Sequence, residues 1–213
     1  MPVEPEIKRA VSFIDGQNLF RHAKDAFGYH HPNYDPVKLA DAVCGASGWV
    51  NRGVRFYTGV PSQNRSAMWN GYWNRRLTAM TRAGIAVVAR PLRYRIEQVR
   101  LADGSIHDIP VAREKGVDLR LGLDVVRMAR NGELDVAVIF SQDQDLAEVA
   151  SEVRDVARAQ GRWIKAVSAF PHSGSATSKR GIDRTDWFRM DQEFYNACLD
   201  PRDYRPKRRS ARA

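Results

Sequence analysis

The chain has 213 residues, 43% of them hydrophobic, which is enough for one sizeable domain with a packed core. Two cysteines, Cys44 and Cys198, cannot build a disulfide framework or a four-ligand zinc site, which favours a reducing compartment. The first ten residues carry Glu4, Glu6, Lys8 and Arg9 where a signal peptide would be apolar, and no apolar run reaches membrane-spanning length, so a cytoplasmic protein without membrane contact is expected.

The net charge of +9 is unevenly spread. Residues 52–100 hold ten arginines and one acid, Glu97, and the last thirteen residues hold six basic side chains and one acid. The other stretches are near neutral or acidic. A basic approach surface beside an acidic centre suits a polyanion held next to a cation.

In chain order, residues 10–15 read as a short buried strand ending at Asp15-Gly16, where the glycine is expected to relax the backbone, followed by a helix Leu19–Phe27. Asp35-Pro36 opens a helix Val37–Cys44. Residues 54–60 form a second strand, and a helix from about Asn64 to Ala83 is expected to bury Met68, Tyr72, Leu77 and Met80 and to expose Arg65, Arg75, Arg76 and Arg82. Residues 85–90 are a third strand. Arg93 to Val111 reads as a β-hairpin insertion turning at Asp103-Gly104. A central helix spans Asp118–Ala129, a fourth strand Leu134–Phe140, a helix Leu146–Ala159 and a fifth strand Trp163–Phe170. A Ser/Gly-rich loop, a last helix Asp186–Leu199 and a basic tail from Pro201, expected to be disordered, complete the chain. The organisation expected is an N-terminal extension (1–9), one α/β domain (10–200) with a mostly parallel sheet between helices, and the tail (201–213).

Three segments lead to a carboxylate at the edge of an element: Phe13-Ile14-Asp15-Gly16-Gln17-Asn18, Glu114-Lys115-Gly116-Val117-Asp118, and Ser141-Gln142-Asp143-Gln144-Asp145. In a parallel sheet such ends gather on one edge. Carboxylates crowded together need a compensating cation, and oxygen ligands without His or Cys favour Mg²⁺ or Mn²⁺. Asp15, Asp118, Asp143 and Asp145 are thus candidate metal ligands. Asn18 is a candidate to orient a bound water, and Lys115 to meet a scissile phosphate. Singly, each aspartate is better explained as a helix cap than as a ligand, with Asp145 better placed than Asp143 to cap the helix from Leu146; three such motifs on one edge shift the balance. Asp124 is either a pocket residue or part of an exposed face. Arg93, Arg95 and Arg100 of the hairpin, Arg75 and Arg76 of the preceding helix, and Lys207, Arg208 and Arg209 of the tail are candidate nucleic-acid contacts. Trp69 and Tyr72 or Trp73 are expected to divide between core and base stacking. Neither a dinucleotide or P-loop glycine motif nor a Gly-x-Ser-x-Gly elbow is present.

The order of the three motifs resembles the NYN domain, a branch of the PIN-like nuclease superfamily, and most closely its LabA/DUF88 group, over about residues 10 to 170. The resemblance implies a Rossmann-like PIN fold and metal-dependent cleavage of RNA, with the acidic positions falling on Asp15, Asp118, Asp143 and Asp145 and Asn18 beside the first. The family's third motif usually reads Ser-Gly-Asp-Ser-Asp, whereas Gln142 and Gln144 stand here, so Gln142 is expected to narrow the pocket or change the turn. A metal-dependent ribonuclease, able to form a homo-oligomer, is the first expectation. An RNA-binding regulator with little catalysis is the second, and a phosphatase for small phosphate esters the third.

Overall fold

In the computed structural model, residues 2–100 and 105–205 are described. The strands are β1 (Arg9–Asp15), β2 (Val50–Val60), β3 (Ala86–Pro91), β4 (Arg93–Arg100), β5 (Ile106–Arg113), β6 (Val136–Phe140), β7 (Lys165–Pro171) and β8 (Asp186–Met190). The helices are α1 (Gly16–Phe27), α2 (Pro36–Ala46), α3 (Ala67–Arg82), α4 (Val117–Arg130), α5 (Ala147–Gln160) and the short α6 (Gln192–Asn196). Six strands pair in parallel in the order β3-β2-β1-β6-β7-β8, while β4 and β5 form a separate antiparallel hairpin. This is the expected α/β architecture, a Rossmann-like parallel sheet between helices with a hairpin insertion.

Both faces of the sheet are covered, which is why its central strands are nearly continuous apolar runs. In β1, Ala10 and Ile14 face one core with Leu19 and Ala23 of α1, Leu39 and Val43 of α2, and Tyr72 and Met80 of α3. Val11 and Phe13 face the other, with Leu121 and Val125 of α4 and Ala150 and Val153 of α5. β6 divides the same way, Val138 and Phe140 to the first core and Ala137 and Ile139 to the second. At the amino end of the sheet Arg9 clamps Asp135, donating from Nε to Oδ2 and from Nη2 to Oδ1, both at 2.9 Å, which pins β1 to the residue before β6.

The expected last helix over Asp186–Leu199 is a correction. Asp186–Met190 is instead the edge strand β8, paired in parallel with β7, and only Gln192–Asn196 is helical, capped by Asp191, whose side chain accepts from Phe194 N at 2.8 Å. The physical reason is a period of two: Phe188 and Met190 turn to the core while Trp187 lies on the other face against Phe170. In α3 the buried positions are Tyr72, Trp73, Arg76 and Met80, and Met68 is exposed, so the apolar face is rotated from the one expected. The hairpin pairs Arg93 with Arg113 through Arg100 with Ile106; its expected turn at Asp103-Gly104 lies outside the described residues. Past Asp200 the chain stays packed as far as Tyr204, whose hydroxyl donates to Asp200 Oδ2 at 2.8 Å and whose ring meets Tyr72 edge-on. Lys207, Arg208 and Arg209 lie outside the described residues.

Gly16 is constrained by space. Its φ is not positive, but a Cβ there would come within 2.5 Å of the Phe56 ring. The expectation that it relaxes the backbone is replaced by close packing of α1 on β2.

Candidate active site

The chain runs from β1 outward to β2 and β3 on one side, then returns to β6, beside β1, and runs outward to β7 and β8 on the other. The carboxyl ends of β1 and β6 therefore flank the topological switch point, where open α/β sheets hold their ligands. Asp15 closes β1 and Ser141 follows β6. Gly116, at φ +74°, turns the chain from the hairpin into α4 and so delivers Asp118 in the helix's first turn.

A cavity of about 360 Å³ opens at this edge, lined by Asp15, Asn18, Arg21, Glu114, Asp118 and Asp143, with Val111 to Arg113 at the hairpin's base as one wall. The structure thus brings together three of the four predicted aspartates and Asn18. Asp145 is exposed and lines a neighbouring hollow with Asp118, whose carboxyl its charge helps to push up. Lys115 is exposed and is not among the residues lining the cavity.

Each residue is held by a specific bond. Asp15 Oδ1 accepts from Asn18 N at 3.0 Å, capping α1, and its Oδ2 accepts from Ser141 Oγ at 3.1 Å. Ser141 Oγ in turn accepts from Asp143 N at 3.1 Å, so one hydroxyl both holds the Asp15 carboxylate and begins the turn after β6. Asn18 Oδ1 accepts from Gln142 N at 2.9 Å, tying α1 to the loop after β6. That oxygen therefore positions backbone. Asp143 accepts from Asp145 N at 3.0 Å and caps the short 3-10 turn Gln144–Leu146. The expectation that Asp145 is the better cap is reversed, because this turn intervenes before α5.

Glu114 is the carboxylate that sequence reasoning missed. Burial, then the charges of Asp15 and Asp118, raise it to about 8, although the nearby Gly59 backbone and Arg21 oppose the rise. Burial raises Asp15 to about 7 against the bond from Asn18, with Asp118 and Asp143 adding to the rise, and burial followed by Asp143 raises Asp118. Glu114 Oε1 is buried with no hydrogen-bond partner. Its one signal in the sequence was its place four residues before Asp118, at the exit of the hairpin. Arg21, which faces these acids, was also missed.

An all-oxygen donor set, mutually raised acids and an orphaned buried carboxylate oxygen fit a hard divalent cation. No three acid, imidazole or thiol groups among the described residues close into a cage as they stand.

The glutamines of the third motif point away from this cavity. Gln142 Nε2 donates to Arg180 O at 2.6 Å and Ser178 Oγ at 3.1 Å. Gln144 Nε2 donates to Gly181 O at 3.0 Å, and its Oε1 accepts from Asp183 N at 3.1 Å. They staple the loop before β8 to the end of β6, and neither lines the cavity. Gln144→Ala is expected to cost about 1–2 kcal/mol and to speed hydrogen exchange at the Asp183 amide. Unchanged protection there would remove the stapling role.

Among the basic candidates, Arg93, Arg95 and Arg100 are exposed on the hairpin. Arg113 is paired with Glu97 at 2.5 Å. Arg75 donates from Nε to Tyr204 O at 2.8 Å. Arg76 is a correction: it is 1% exposed, donates to Tyr34 O and Tyr72 Oη at 2.6 Å and to Pro32 O, and cannot reach RNA. Asp124 is also buried, at 2% exposure, and is neither a pocket residue nor part of an exposed face. Tyr57 Oη donates to it at 2.9 Å, and Arg55, Arg120 and Arg127 surround it. Of the aromatics, Tyr72 and Trp73 are buried and Trp69 half-buried.

A family model described as NYN domain matches residues 9–185. No curated protein matches the chain. Among solved structures, a Vibrio parahaemolyticus protein of unknown function, VPA0982, is 16% identical, with a TM-score of 0.53 over 90% of this chain and 99% of that one, a likeness of fold. Acinetobacter baumannii MurG is 11% identical, with a TM-score of 0.33 over 85% of this chain and 45% of that one.

Proposed function

The chain belongs to the NYN domain family, a PIN-like, nuclease-type family, and on that premise we propose that it is a metal-dependent ribonuclease of the LabA/DUF88 group, with residues 10–200 as the catalytic unit. The observation that carries the reading is the set of Asp15, Glu114, Asp118 and Asp143 around one cavity at the switch point.

Asp15, Asp118 and Asp143 are the proposed ligands, joined by Glu114, and Asp145 completes the acidic rim. A bound Mg²⁺ or Mn²⁺ supplies charge stabilisation at phosphorus and lowers the pKa of an attacking water. The chain's own residues do the rest. Ser141 and the Asn18 amide hold the Asp15 carboxylate, and Asn18 Oδ1 fixes the backbone that carries Asp143. Arg21, at the cavity's edge, is placed to draw a phosphate toward the acids. Lys115, exposed beside Glu114, and the hairpin arginines Arg93, Arg95 and Arg100 are proposed to guide the RNA backbone, with the tail's Lys207, Arg208 and Arg209 adding charge.

Incubation of labelled single-stranded and structured RNA with Mn²⁺, or with chelator, tests the reading. Cleavage that requires the cation is expected; its absence on both RNAs removes the enzyme claim. Binding without catalysis is the second reading, motivated by Gln142 and Gln144 standing in the third motif. Salt-sensitive RNA binding with no turnover is its expected result. The outward-pointing glutamines count against it, since they leave the cavity clear.

A further inference from the structure

A second hollow of about 360 Å³ adjoins the carboxylate cavity, sharing Gln17 and Arg21 with it. Its volume is in the range of ligand pockets, roughly 300 Å³ and upward. Its walls are Phe20, Trp69, Trp73 and Leu92, and Arg21 and Lys24 stand on its rim. Gly59 separates the two spaces. Gln17 Nε2 donates to its carbonyl at 3.2 Å, and a Cβ on Gly59 would collide with Leu92 and stand 2.9 Å from Gln17 Nε2 and 3.2 Å from Glu114 Oε1. The wall between acids and aromatics is thus one glycine thick.

Resting on the ribonuclease reading, we infer that this hollow is a nucleobase subsite, which takes the base of a nucleotide next to the phosphate held at the carboxylates. Three observations carry it. The first is continuity: a residue pair common to both spaces puts a ring-sized aromatic pocket within one nucleotide of the acids. The second is charge. Arg21 and Lys24 are exposed and have no ion-pair partner among the described residues, so they are left for phosphate or sugar oxygens, whereas the pocket's interior is aromatic and aliphatic. The third is that the indole is positioned. Trp69 packs on Tyr72 at 5.3 Å with planes 74° apart, and Tyr72 is itself fixed by Arg76. Stacking on a held aromatic is sequence-tolerant, because every base has a π-face. The pocket therefore sets register along the strand and adds affinity with little base preference.

The experiment is binding of a single-stranded RNA trinucleotide in EDTA, too short to shift register without losing contacts, compared with trinucleotides carrying one abasic position at each site in turn. One abasic position is expected to weaken binding by roughly ten-fold while the others change it little. Trp69→Ala is expected to bind the intact strand as weakly as wild type binds that abasic strand. Trp69→Phe, which keeps a stacking face, restores most of the affinity, and Lys24→Glu, an exposed change that does not threaten folding, weakens binding of all strands alike. Wild-type affinity in both Trp69→Ala and Lys24→Glu, or equal loss at every abasic position, overturns the subsite whatever the cleavage assay gives. Base-dependent, Trp69-dependent binding in a protein that never cleaves RNA supports the subsite and leaves the nuclease reading to fall alone.

Discussion

Asp15→Asn is expected to lower metal-dependent RNA cleavage by about a thousand-fold and, at the same time, to make the cation-free protein more stable. The two effects have one cause. Asp15 is 2% exposed, and burial with the charges of Asp118 and Asp143 lifts its carboxyl to about 7, despite the bonds from Asn18 and Ser141. Because the folded value lies above that of the unfolded chain, near 3.9, the folded state holds the proton more tightly. The neutral acid is favourable at low pH, and that advantage is lost as pH rises from the unfolded value through the folded one. By pH 8 the ionised carboxylate costs a few kcal/mol, on the order of 4 as an upper figure. Asparagine keeps an acceptor for Asn18 N without the charge. In EDTA the variant is therefore expected to melt higher than wild type at pH 8 and about equally at pH 4. Mn²⁺ raises the melting temperature of wild type by binding the native state, and the variant responds much less. A variant that is less stable than wild type at pH 8 in EDTA, or that cleaves at the wild-type rate, would sink the assignment of Asp15.

Much of this site was legible because strand-end logic is robust to small errors in element boundaries. Asp15, Asp118 and Asp143 needed only a parallel sheet to meet at one edge. Glu114 needed more: it reaches the cavity through the path of the β5 exit and a left-handed turn at Gly116, and no local pattern encodes that path. The function of Gln142 and Gln144 was invisible for a related reason. Their partners, Ser178, Arg180, Gly181 and Asp183, lie nearly forty residues on in a loop with no periodicity. β8 was misread as helix because five residues with apolar side chains on both faces satisfy either period, and only pairing with β7 decides between them. The hairpin was readable because two arms with apolar side chains flank an Asp-Gly pair and lie between a predicted strand and a predicted helix.

Adjacent arginines on α3 show where composition misleads. Ten arginines in residues 52–100 read as one basic surface, yet Arg76 is used as a core residue. Arg76→Ala is expected to destabilise the fold by about 3–5 kcal/mol, the largest single effect on stability predicted for this chain. The guanidinium has no carboxylate partner among the described residues, so its burial is offset by backbone and ring. It donates to the Tyr34 carbonyl and Tyr72 hydroxyl at 2.6 Å and to the Pro32 carbonyl, and lies 4.8 Å from the Tyr34 ring centre. Truncation leaves a void and deprives the Tyr34 carbonyl of this donor in a dry interior, whereas the Pro32 carbonyl keeps the Tyr72 hydroxyl. A matched apolar residue such as methionine fills the void and so costs less than alanine. Because Pro32 lines the aromatic hollow and Tyr72 supports Trp69, the loss also loosens the proposed base subsite from behind. Urea unfolding should show a lower midpoint with an unchanged slope for Arg76→Ala, while Arg93→Ala and Arg95→Ala keep the wild-type midpoint and weaken RNA binding in a salt-dependent way. If Arg76→Ala instead unfolds at the wild-type midpoint and loses only RNA affinity, the side chain acts at the surface and its place in the core is wrong.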